Sequence, residues 1–147
     1  MTRRPKVVFI TTDYSVAGGI ERSLSILTQT LLDDLNMDVT LLTCGMTKKK
    51  PFFSFPNNLK VIKVKEGISL LKLDSKLKQL IHIVVPQLRY KVISDLLEEL
   101  SFDYLIVDHP ILLSALPPKK NRTWKLIFHA HEALRDFNLK YFFYYRG

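Results

Sequence analysis

The sequence predicts an α/β protein in which a parallel sheet carries helices on both faces. Short apolar, β-branched runs alternate with longer segments in which leucine recurs every three or four residues. The strand runs are mostly continuous rather than alternating, as in strands buried on both sides. The 147 residues fit one domain spanning 1–147, long enough to bury about two-thirds of its unfolded surface.

Each element follows from local pattern. Residues 6–12 (KVVFITT) read as a buried strand, broken by Gly18-Gly19. Ile20, Leu24, Leu27, Leu31 and Leu35 then recur at steps of four, three, four and four, which predicts one face of a helix of about four turns. Residues 38–44 (DVTLLTC) form a second strand. The stretch 48–58, with two prolines and a Pro-Asn-Asn signal, is a loop. In 59–65 (LKVIKVK) apolar residues alternate with lysine, as expected of an edge strand that discourages unwanted pairing. A stripe of Leu70, Leu73, Leu77, Leu80, Ile81 and Val84 predicts a second helix, with Lys72, Lys76 and Gln79 opposite. Pro86 ends it and suits the first position of a third helix, which carries Leu88, Val92, Leu96 and Leu100. Residues 102–107 (FDYLIV) and 124–128 (WKLIF) are the next buried strands, and the tail holds the aromatic run 141–145.

Composition excludes several classes. With 47% hydrophobic, 24% charged and 11% aromatic residues, the chain is not disordered, collagenous or low in complexity. A single cysteine, Cys44, forms no internal disulfide and suits a reducing cytoplasm. The apolar stretch 7–10 is too short for a signal core, and no run approaches the ~18 residues of a membrane span. The net charge of +8 is local. Residues 46–91 hold eleven basic side chains against Glu66 and Asp74, a net of +9, so the rest of the chain is close to neutral. Such a block is either a solvated face or the footprint of an anionic partner.

In doubly wound sheets the site lies beyond the carboxyl ends of the strands, where strand order reverses. Three groups are expected there: Asp13 with Gly18-Gly19, Asp108-His109, and residues 129–132. Glycines between strand and helix let backbone approach a ligand, and a helix N-terminus offers free N–H groups; a turn needing positive φ would explain the pair equally. His129 and His131 are two apart, so they share a face in extended chain, and Glu132 follows. His131, at the strand exit, is better placed for a ligand than His129, which reads as a core histidine. A metal would need further donors, and the residues available do not favour one. Asp108 and His109, adjacent in extended chain, point to opposite sides and form no relay. No G-x-S-x-G elbow, Walker loop or paired acidic residues after the first strand are present, which argues against a serine hydrolase, a P-loop enzyme and a phosphorylation receiver.

Together these residues resemble family 4 glycosyltransferases. KVVFITTDYSVAGGIERSLSILTQTLL resembles their opening strand, Gly-Gly-x-Glu-Arg loop (here 18–22) and long helix. DVTLLTC, FDYLIVDHP and LIFHAHEAL are similar to their second, fourth and fifth strand segments, the last ending in His131-Glu132. The resemblance implies a Rossmann-like unit forming the N-terminal, acceptor-side part of a GT-B enzyme, incomplete at its C-terminus. It implies transfer of a hexose from a nucleotide-sugar to a glycan or lipid-linked acceptor, with no metal and no cofactor. Gly18 and Gly19 would lie near the donor's phosphate and sugar, His131 would hydrogen-bond the transferred sugar, and Glu132, Asp108 and His109 would line the substrate site. Asp108 stands where the family's fourth-strand histidine usually falls, and no E-x7-E pair occurs in the chain. The chain alone is therefore expected to lack activity.

The family's basic amphipathic helix makes Lys72, Lys76 and Lys78 candidates for contact with an anionic membrane. That places the protein in the cytoplasm, peripheral on the inner face of the membrane. A second reading is a non-catalytic Rossmann-like module that binds an anionic membrane or a partner protein. A nucleic-acid role is not expected, because the aromatics lie away from the lysine block and offer no stacking platform.

Overall fold

The computed structural model describes residues 3–45, 48–64, 86–109, 112–113, 116–117 and 122–129. Five strands, β1 (Lys6–Asp13), β2 (Asp38–Gly45), β3 (Lys60–Lys63), β4 (Tyr104–Val107) and β5 (Lys125–Phe128), form one sheet in the order β3-β2-β1-β4-β5. Every pairing is parallel. Helices α1 (Gly19–Gln29) and α2 (Pro86–Glu99) connect strands. The expected class is what the chain forms: a Rossmann-like, doubly wound α/β sheet.

Alternation along each strand sends side chains to two separate cores. On one face Val7, Phe9, Val39, Leu41 and Ile106 pack with Leu24 of α1 and with Leu31. On the other, Val8, Ile10, Leu42, Leu105 and Val107 pack with Ile93 and Leu97 of α2. At the amino ends of the strands, Asp103 accepts the backbone N–H of Lys6 and the Arg3 guanidinium, tying the start of β1 to the segment entering β4. The Lys6 N–H and Arg3 hold its pKa below the usual value.

Four details depart from the sequence reading. The first helix does not run straight to Leu35: residues Thr30–Asp34 form a π-helical turn, closed by the Leu35 N–H donating to the Thr30 carbonyl. The wider turn adds a residue per revolution and rotates Leu35 off the apolar face, leaving it 54% exposed. Asn36, at φ 52°, then ends the helix in the left-handed conformation. In α2 the fully buried positions are Ile93 and Leu97, with Val92, Leu96 and Leu100 flanking them. Third, β5 is not buried. It is the last strand of the described sheet, and Ile127 is 45% exposed. Phe102 stacks on Trp124 at 5.3 Å, the Arg122 guanidinium lies over the Trp124 ring, and Arg122 Nε donates to the Pro117 carbonyl; together these anchor the entry to β5. Fourth, no described glycine has positive φ, so the Gly18-Gly19 pair does not serve a left-handed turn. The expected edge strand is present as β3, with Lys60 and Lys63 exposed. The expected helix over 70–84 and the aromatic run 141–145 lie outside the described residues.

Candidate functional site

From β1 the chain proceeds outward through β2 and β3 on one side, then returns to place β4 and β5 on the other. The reversal falls between β1 and β4, and the crevice beyond their carboxyl ends is where this fold binds ligands. The register explains which groups meet there. Ile10 pairs with Val107, so the next step brings Thr11 beside Asp108. Thr11 shares the face of Phe9, and Asp108 that of Ile106, which is the face covered by α1. His109 has the opposite parity, and its carbonyl accepts the Leu112 N–H.

The β1–α1 loop is fixed by its own polar groups. Asp13 Oδ1 accepts the Ser15 N–H at 2.8 Å and the Ser15 hydroxyl at 2.6 Å. Ser15 Oγ accepts the Lys48 N–H at 3.1 Å, which joins this loop to the β2–β3 connection. Tyr14 is buried edge-on to Phe55, with ring centroids 5.3 Å apart. The loop delivers Gly18 in extended conformation as the N-cap of α1, where its carbonyl accepts the Arg22 N–H.

Gly18 has no side chain to cap the helix. Instead the carboxylate of Glu21, 8% exposed, folds back over it, and Glu21 Oε2 occupies the space that a Cβ on Gly18 would need. Nothing lies within 4 Å of a Cβ on Gly19. The two glycines are therefore unequal. Gly18→Ala is expected to destabilise by about 1 kcal/mol, because alanine is a poorer N-cap and must push the Glu21 carboxylate aside. Gly19→Ala, at a helical position with open space, is expected to stabilise by about 0.5–1 kcal/mol. Urea unfolding of the two variants checks the opposite signs.

Asp108 is 5% exposed, and neither carboxyl oxygen meets a donor in hydrogen-bonding geometry among the described residues. Burial pushes its pKa up from 3.8 to about 6. The nearby Thr11 side chain and the residue's own backbone N–H oppose the rise, and the Glu21 carboxylate adds to it. Glu21 is thus near enough to Asp108 for its charge to be felt there. A buried carboxyl that meets no donor among the described residues is costly in folding terms.

The structure brings Gly18, Gly19 and Asp108 to one rim, with His109 beside them. His129 follows β5 at the same end of the sheet, its N–H bonded to the Val107 carbonyl. His131, Glu132, Lys72, Lys76 and Lys78 lie outside the described residues. Among the described residues, no group of three His, Cys, Asp or Glu is placed to hold a metal ion, and no helix is long and apolar enough to cross a membrane. Sequence reasoning gave Glu21 no role of its own. The signal was its position three residues after the N-cap, the spacing at which an acidic side chain reaches back to the helix start.

The architecture defines a class, the doubly wound, Rossmann-like parallel α/β proteins. Within it, the chain is similar in fold to a lipopolysaccharide outer core galactosyltransferase, WaaB, in its apo form, with TM-score 0.60 and 20% identity over 92% of this chain. The match takes in 36% of the galactosyltransferase, so the chain spans about a third of that protein's length. No family model matches the sequence, and neither does any curated protein sequence.

Proposed function

We infer that this chain is the acceptor-side portion of a glycosyltransferase. The reaction would move a hexose from a nucleotide-sugar to a glycan or lipid-linked acceptor. The observation that carries the reading is the strand-order reversal between β1 and β4, where the start of α1 at Gly18-Gly19 and the buried Asp108, without a partner among the described residues, come to one rim. The likeness in fold to a galactosyltransferase supports it, as does the LIFHAHEAL segment that follows. In this reading Gly18, Gly19, Asp108, His109 and Glu132 line the substrate site, and His131 hydrogen-bonds the transferred sugar.

The 147 residues supply one wall of the cleft, and a second unit supplies most of the contacts to the donor. The chain by itself is therefore inactive. Purified chain would be incubated with a panel of nucleotide-sugars and candidate acceptors, with release of the nucleoside diphosphate as the readout. Turnover by these residues alone would overturn the one-wall assignment.

The lysine block between 46 and 91 supports an encounter with an anionic membrane surface on the cytoplasmic side, with Lys72, Lys76 and Lys78 as the contact. Flotation with anionic vesicles is expected to carry the chain upward at low salt, and neutral vesicles to leave it behind. Replacing the three lysines by glutamate should abolish flotation; unchanged binding would remove them from the surface. Each lysine near such a surface contributes about 1 kcal/mol, so the loss should be several orders of magnitude in partitioning.

A further inference from the structure

The connection between β2 and β3 carries a surface that neither the sheet nor the candidate site uses. It reads KKKPFFSFP over 48–56, and no acidic residue occurs between Asp38 and Glu66. Lys48, Lys49 and Lys50 are exposed. Phe52 is 63% exposed, although an aromatic ring in water forgoes the gain of burial. Its ring meets that of Phe53 edge to face at 5.1 Å, and Lys48 Nζ lies over it, 5.8 Å from the centroid. Aromatic rings and an ammonium group therefore share one patch.

The loop that bears this patch is pinned at its base. The Lys48 N–H donates to Ser15 Oγ, the Ser25 hydroxyl donates to the Ser54 carbonyl at 2.6 Å, and Phe55 packs edge-on against buried Tyr14. Pro51 and Pro56 fix φ on either side of the aromatic segment. Phe55 is the aromatic that anchors the loop; Phe52, three residues earlier, is the one left in water. A ring held out by a fixed loop has little backbone freedom left to lose when it meets a partner. The loop leaves the sheet at the carboxyl end of β2, beside the β1–α1 loop.

We propose that the 48–55 loop is an interfacial anchor: Phe52 enters the headgroup boundary of an anionic membrane, and Lys48, Lys49 and Lys50 meet its lipid phosphates. Apolar rings rimmed by lysine suit that boundary, where the rings leave water and each lysine is drawn to anionic lipid. The proposal rests on the membrane reading above for its partner, and adds an apolar contact on a segment separate in sequence from Lys72, Lys76 and Lys78. Because the loop starts beside the β1–α1 loop, its insertion brings the rim of the candidate site toward the lipid. Single-stranded nucleic acid is the competing partner for lysine beside phenylalanine. It is disfavoured because the two rings stand at 80° to one another and offer no parallel faces to successive bases.

The test uses the full chain with vesicles of equal parts phosphatidylglycerol and phosphatidylcholine, and pure phosphatidylcholine as the neutral arm. Phe52→Trp reports on the loop directly, against the native chain with Trp124 as its single tryptophan. On anionic vesicles the new indole is expected to emit further to the blue and to be quenched by brominated lipid; with neutral vesicles it stays in water. Phe52→Ser should partition about tenfold more weakly, the loss expected for one partly buried phenylalanine. Replacing Lys48, Lys49 and Lys50 by glutamine should weaken partitioning about a hundredfold or more.

A new indole that escapes quenching while the native chain still floats overturns the loop and leaves the membrane contact to Lys72, Lys76 and Lys78. Quenching that persists after those three become glutamate supports the loop and removes them instead. A Phe52→Ser chain that partitions like the native one overturns the proposal. So does a single-stranded oligonucleotide that binds more tightly than any vesicle and perturbs the new indole. Failure of the native chain to float on anionic vesicles ends both the anchor and the membrane reading.

Discussion

Phe9→Ala is expected to cost about 3–5 kcal/mol of folding stability, the range for removing a fully buried aromatic side chain. Phe9 is 1% exposed, in the central strand of the sheet, and its cluster includes Leu24 of α1 and Leu31. Domains of this size have roughly 5–15 kcal/mol in total, so the loss removes a large share of the margin. It also removes a packing partner of Leu24, and with it part of the contact between α1 and the sheet. Phe52→Ala provides the control: at 63% exposed, Phe52 contributes little to the core, and its removal should change stability by less than about 0.5 kcal/mol. Denaturant midpoints at constant slope measure both. A Phe9→Ala loss below about 1 kcal/mol would mean that α1 is not seated on β1 as described.

Asp108→Asn should have the opposite sign. In the unfolded chain this carboxyl titrates near 3.8, and in the folded chain near 6. Below the lower value both states are protonated and burial carries no charge penalty. Between the two, folding requires either a proton on Asp108 or the burial of its charge, so native stability falls as pH rises and levels off above about 6. At about 1.36 kcal/mol per pKa unit, the deficit at pH 8 approaches roughly 3 kcal/mol. Asparagine has the same shape and no charge, so the variant escapes that loss. The expected result is little difference in unfolding free energy near pH 3.5, a gap opening through pH 4–6, and a more stable variant at pH 8. A gap independent of pH would show that Asp108 is not held as a bare buried carboxyl.

Much of the frame was legible residue by residue. The apolar β-branched runs at 6–12, 38–44 and 102–107 became β1, β2 and β4, because two-sided burial selects such residues. The lysines of 59–65 marked β3 as an edge, since lysine on an outer strand remains in water. The run at 124–128 was a strand too, but local pattern did not place it at the end of the sheet. A continuous apolar run looks the same in the middle of a sheet and at its margin. The leucine stripe of the first helix was sound as far as Leu31 and failed at Leu35. Periodicity assumes a constant turn, and a single π-helical turn breaks that assumption. The candidate site was legible in part: Gly18, Gly19 and Asp108 follow from the rule that ligands bind where strand order reverses. Glu21 was passed over, although it lies within the quoted Gly-Gly-x-Glu-Arg string.

The sequence by itself determined what depends on near neighbours: strand and helix identity, the α/β class, the local concentration of positive charge, and the carboxyl-end residues from which any site had to be drawn. Tertiary structure alone decided which of them meet. Sheet order set β4 beside β1, register put Asp108 next to Thr11, and strand parity put it on the sheet face covered by α1, within range of the Glu21 charge. The physical reason is range. Backbone preferences and periodic burial act over a few residues, whereas the electrostatics of a buried carboxyl depend on groups distant in sequence that only the packed sheet brings near.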